Sequence, residues 1–126
     1  MRAVDTNVLV RLVSGDDPAQ VAAAEEYVAS GAWVSHVVLV ECVWVLKSVY
    51  SVPHPQLVAA IEPLLDHEAL VIQEPDVVAA ALAIFREHPK VQFSDCMVLE
   101  IARKAGHVPL GTFDRTLAKQ SGAERI

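Results

Sequence analysis

Short apolar runs alternate with longer segments of helical period along this chain, the pattern of an α/β fold with a mostly parallel sheet. Arg2 to Val4 reads as a first strand and Asn7 to Val13 as a short helix that Gly15 ends. Asp16, Asp17 and Pro18 supply caps and a first-turn proline for a helix running to about Ala29. Ala32 to Val34 is a short strand. Ser35 caps a helix through VVLVECVWVLKSVY, and Pro53 and Pro55 mark its end and a new start. A helix near Gln56 to Leu65 follows, then a strand ALVI at 69 to 72 and the apolar helix VVAAALAIFREH behind Glu74-Pro75-Asp76. Ser94 caps the next helix, Asp95 to Lys104, with Gly106 at its C-terminal end. HVPLGTF reads as a strand, DRTLAKQ as a short helix and AERI as a closing strand.

A sheet of this kind places functional residues at the carboxyl ends of its strands. Asp5 and Asp114 fall at two such ends. Taken singly, each is explained as a helix cap, and Asp95 by the positive end of a helix dipole. Glu41 is harder to explain. It lies between Val37 to Val40 and Cys42 to Leu46 in a helix apolar nearly all round, which predicts burial. Lys47 is six residues away, outside i+3 or i+4 pairing, and a buried carboxylate without a partner is costly. Gathered carboxylates repel one another unless a hard divalent cation stabilises the charged cluster, and Mg²⁺ takes oxygen ligands. Asp5, Glu41, Asp95 and Asp114 are therefore the candidate metal ligands, with Mn²⁺ as a substitute ion and phosphodiester hydrolysis as the indicated reaction. Glu100 lies five positions beyond Asp95, about 140° round an ideal helix, and is left outside this set.

Composition narrows the setting. At 126 residues the chain fits a single domain, 1–126, and although 53% of it is hydrophobic no apolar run reaches the roughly 18 residues of a membrane span. It starts straight into a strand without signal-peptide features, so a cytoplasmic location is expected. Cys42 and Cys96 lack metal-ligand spacing and read as buried reduced thiols. The five histidines, scattered without a pair at i, i+4, read as surface or loop residues, and Trp33, Trp44 and Phe85 as core. The formal charge of -6 disfavours loose binding to nucleic acid through a basic surface. Any nucleic-acid contact must use local cations such as Arg11, Lys47, Arg86, Lys90, Arg103, Lys104 or Arg115.

VDTNVLVR at 4 to 11 and GDDPAQ at 15 to 20, followed by Glu41, SDCMVLEIA at 94 to 102 and TFD at 112 to 114, together resemble the PIN-domain family. More narrowly they look like the VapC-type ribonuclease toxins of bacterial type II toxin–antitoxin systems. The resemblance covers nearly the whole chain and implies a PIN-like α/β/α sandwich with a central, mostly parallel sheet of about five strands. It puts the family's metal-ligating acids on Asp5, Glu41, Asp95 and Asp114, the last often acting through water or a second ion. Thr6 and Asn7 match the polar pair that braces the first aspartate, and Thr112 the hydroxyl beside the last. It further implies Mg²⁺-dependent endonucleolytic cutting of structured RNA, a tRNA or a ribosomal RNA loop, by a metal-activated water. The implied partners are a VapB-like antitoxin and a second copy of the chain.

Two other phosphate enzymes fit poorly. A haloacid-dehalogenase-like enzyme wants an Asp where Asn7 stands, and a receiver-like domain wants an acidic pair where Ala3 and Val4 stand. The readings left are a non-catalytic PIN-like module that binds RNA or protein, and a structural domain in which every acid is a cap.

Overall fold

Asp5 lies two residues past the first strand and caps the first helix, and this junction organises the opening of the chain. The computed structural model describes residues 1–126, with β1 at Arg2–Ala3 and α1 at Thr6–Ser14. The Asp5 carboxylate accepts the Val8 amide at 3.2 Å, satisfying one of the free N–H groups of α1. Gly15, at φ 67, closes the helix in the left-handed conformation that glycine adopts without a Cβ penalty.

The chain divides into two compact units, Met1–Pro75 and Asp76–Ile126. In the first, α2 (Pro18–Val28), capped by Asp17, leads to β2 (Ala32–Val34), and α3 (His36–Ser48), capped by Ser35, leads to α4 (His54–Ile61) and β3 (Leu70–Ile72). The strands pair in the order β1-β2-β3, all parallel, with Ala3 opposite Trp33 and Trp33 opposite Val71. Parallel neighbours need long crossovers, which the helix pairs provide. Leu9 and Val10 of α1 and Leu39, Cys42, Val43 and Leu46 of α3 are buried where the two helices pack.

Asp76–Ile126 contains most of α5 (Pro75–Glu87), then α6 (Phe93–Ala105), β4 (Leu110–Thr112) and β5 (Ala123–Arg125). β4 and β5 pair in parallel as a separate two-stranded sheet, so the larger sheet has three strands rather than the expected five. Phe85 and Phe93 meet edge to face at 5.5 Å, fixing the end of α5 against the start of α6. Every strand pairing is parallel, as the alternation of elements predicts. No helix is long and apolar enough to cross a membrane.

Several local expectations change. The helix after Pro53 stops at Ile61, and Glu62–Asp66 tighten into a 3₁₀ turn; DRTLAKQ likewise yields only a 3₁₀ turn at Leu117–Lys119. Ser94 is not a cap but lies in the first turn of α6, which begins at Phe93 after Gln92 without a side-chain cap. His36 is buried, its Nε2 without a partner, rather than on the surface. Phe85 is core, but Trp44 and Trp33 are 61% and 37% exposed. In β2 the alternation sends Ala32 and Val34 inward and Trp33 outward. Cys42 and Cys96 are buried and unpaired, their thiols pushed up to about 12 chiefly by burial.

The GDDPAQ segment acts structurally. The Arg11 guanidinium donates to Gln20, Asp16 and Tyr50, and the Tyr50 hydroxyl donates to Asp16 at 2.8 Å, tying α1 to α2 and to the second residue after α3. The Tyr50 hydrogen bond, with help from Ser14 and Arg11, holds the Asp16 carboxyl below its ordinary pKa. A depressed folded-state value gives stability that is present above the unfolded pKa of about 3.9 and lost as pH falls through the folded value. Tyr50→Phe is thus expected to lower stability in urea titrations at neutral pH and to make little difference in strong acid. An equal loss at both would assign the effect to packing.

Candidate functional site

Four acids carry the candidate chemistry, and each retains at least one carboxylate oxygen outside any hydrogen bond. In Met1–Pro75, Asp5 uses Oδ1 for the Val8 amide, and Glu41 on α3 uses Oε2 for the Thr6 hydroxyl at 2.8 Å. Thr6 therefore orients Glu41 rather than its neighbour Asp5. The fold brings it there because α1, which begins at Thr6, packs along α3.

Glu41 is not buried, contrary to what its apolar flanks predict. Val37, Glu41, Trp44 and Ser48 form one exposed face of α3, while His36, Leu39, Cys42, Val43 and Leu46 form the buried one. A helix can be apolar on both faces and still expose one of them. Burial therefore does not single out Glu41, but its hydrogen bond from Thr6 holds its carboxylate in place. Asn7 makes no hydrogen bond to Asp5; both line a cleft of about 400 Å³ with Arg11, Gln20 and Tyr27.

In Asp76–Ile126, Asp95 lies in the first turn of α6 and Asp114 two residues past β4. Asp114 caps the following turn, its Oδ1 accepting the Thr116 and Leu117 amides at 2.7 and 3.1 Å. Its own amide donates to the Thr112 hydroxyl at 3.0 Å, so Thr112 sets the backbone that presents this acid. Asp95 is half-buried and makes neither a hydrogen bond nor an ion pair. Burial, and then the negative charge of Asp114, raise its pKa above the ordinary aspartate value.

That pair is electrostatically uncompensated, and its oxygen-only donors suit a hard divalent cation. Neither unit by itself gathers three His, Cys, Asp or Glu side chains in a group able to hold an ion. Glu100, set aside in the sequence, is buried and accepts from Arg103 Nε at 3.2 and 3.3 Å. The i+3 spacing to Arg103 was the readable signal, and it marks an internal ion pair rather than a ligand.

A family model described as PIN domain matches residues 2–122. No curated protein and no solved structure gives a significant match.

Proposed function

The chain belongs to the PIN domain family, generally a nuclease fold, and on that premise we propose that it is a metal-dependent endoribonuclease. The finer reading is a VapC-type toxin held in check by a VapB-like antitoxin, cutting a structured RNA at a tRNA or ribosomal RNA loop. The observation that carries the nuclease reading is the Asp95–Asp114 pair, where burial and a neighbouring carboxylate raise the proton affinity of an acid that no cation of the protein relieves. An acid so placed has two ways to lose its penalty, a proton or a bound cation.

Asp5, Glu41 and Asp95 would hold Mg²⁺ or Mn²⁺, with Asp114 contributing directly or through water. When bound, such an ion offsets charge on the phosphate and lowers the pKa of water. The protein's own part is orientation. Thr6 fixes the Glu41 carboxylate, the Val8 amide fixes that of Asp5, and the amides beyond Asp114 fix the fourth, each leaving an oxygen for the ion or for an attacking water.

Exposed Val37 and Trp44, flanking Glu41 on α3, offer apolar contact to an antitoxin tail whose basic side chain would approach the acids. A second copy of the chain is the other expected partner, and the cytoplasm the expected location.

Total cellular RNA incubated with the purified protein, with Mn²⁺ or with chelator, tests the reading by sequencing of new 5′ ends. Discrete metal-dependent cuts bearing 5′-phosphates are expected. Folded, antitoxin-free protein that makes none would transfer the reading to a non-catalytic binding module.

A further inference from the structure

Three of the cations that sequence alone offered for RNA contact are already engaged within the protein. Arg11 is held by Asp16 and Tyr50, Arg103 by Glu100 and the Ser121 carbonyl, and Lys104 by Asp76. Lys90 and Lys119 make no ion pair, yet both line one cleft of about 530 Å³ in Asp76–Ile126. His88 and Lys90 come from the α5–α6 connection, Thr116 and Lys119 from the turn behind Asp114, and Glu87 is the only acid in the lining. In a chain of net charge -6, two unpaired lysines against one carboxylate make a locally positive concavity.

The ligand class follows from the lining. Ammonium groups, a hydroxyl and an imidazole recognise phosphate oxygens, and the wall carries no Phe, Tyr or Trp to serve as a stacking platform for bases. The walls also continue along the chain into the acids. Val91 precedes Asp95 by four residues, and the Thr116 amide donates to Asp114. We infer that this cleft holds the phosphodiester backbone of single-stranded RNA beside the bond to be cut, with Lys90 and Lys119 each neutralising one phosphate. The inference rests on the nuclease reading and names the substrate contact that composition alone left unplaced.

The test is fluorescence anisotropy with a fluorescein-labelled single-stranded RNA 12-mer, in chelator to prevent cutting, across a salt series. The double variant Lys90→Glu/Lys119→Glu is expected to raise Kd roughly tenfold at low salt and to flatten the log–log salt slope by about 0.7 per lysine. Glu87→Gln should do the reverse, tightening binding about twofold. Because a purely structural role would not give gains and losses that follow charge, this pair also guards against misfolding, and Lys119→Gln repeats the test if the double variant melts early. Unchanged affinity and slope in the lysine variants would overturn the inference, as would a polyglutamate peptide of equal charge competing as well as RNA, which would assign the cleft to an acidic peptide. Cleavage of total RNA by the wild type separates the two readings. Cutting with lysine-independent binding sinks the cleft alone; lysine-dependent binding without cutting supports the cleft and removes the nuclease.

Discussion

Asp5→Asn protein is expected to fold as the wild type does and to lose RNA cleavage by more than about 100-fold, since loss of even an outer partner of a metal ligand costs about 10–100-fold. The substitution separates the cap that Asp5 forms from the metal-ligand role proposed for it. As a cap, Asp5 needs only an acceptor oxygen for the Val8 amide, and the Asn carbonyl supplies one. As a ligand it needs charge and a second oxygen, which the amide lacks. Asp5→Ala removes both and is expected to cost about 1 kcal/mol of stability in addition. Urea titration of the three proteins reads the cap, and cleavage of the identified RNA reads the ligand. A folded Asn protein cutting at the wild-type rate would remove Asp5 from the site and favour the reading in which these acids are caps and nothing more.

The second large effect is on stability. If the acids hold a cation as proposed, Mn²⁺ at about 100 times its dissociation constant should stabilise the protein by about 2.7 kcal/mol, the gain expected for a ligand of the folded state alone. For a chain of this size that corresponds to a rise in Tm of roughly 10 °C. Asp95→Asn is expected to abolish the rise and also to stabilise the metal-free protein. The sign follows from the direction of the shift. Burial, then the Asp114 charge, raise the folded-state pKa of Asp95, so the ionised carboxylate is disfavoured in the fold. This destabilisation is fully present above the folded value, fades as pH falls through it, and is gone below the unfolded pKa, where both states hold the proton. Asn carries no charge, so its advantage over Asp should be seen at neutral pH and vanish in acid. A calorimetric series over pH, with and without Mn²⁺, reads both effects. If the metal-free variant melts below the wild type at neutral pH, Asp95 contributes as a dipole partner of α6 and not as a strained ligand.

The exposed face of α3 bears on both expectations. Val37 and Trp44 are 67% and 61% exposed on either side of Glu41, so solvent reaches the acid by way of apolar side chains. Exposed apolar side chains of this kind are what the proposed antitoxin would cover. Here, as at Trp33 of β2, a strong hydrophobic pattern has the reverse of burial as its structural outcome.

What the sequence determined by itself is local. Asp5, Asp17 and Ser35 are caps because each is a short acceptor side chain standing just before a helical run, and a cap needs nothing beyond three residues. Gly15 and Gly106 stop helices because a left-handed residue favours glycine wherever the helix lies. The alternation of apolar runs with helical segments likewise carried the parallel pairing, since parallel neighbours require crossovers of that length. Where elements meet was decided only in three dimensions. The Thr6–Glu41 hydrogen bond spans 35 positions and exists because α1 packs on α3. The Arg11–Asp16–Tyr50 network depends on the same packing. Burial of Glu41 was misread because hydrophobicity states what a face would gain from leaving water, whereas exposure depends on whether another element covers it. The electrostatic state of Asp95 is tertiary for the same reason: it arises from burial of the first turn of α6 and from an acid 19 positions away, beyond β4, whose charge reaches it through space.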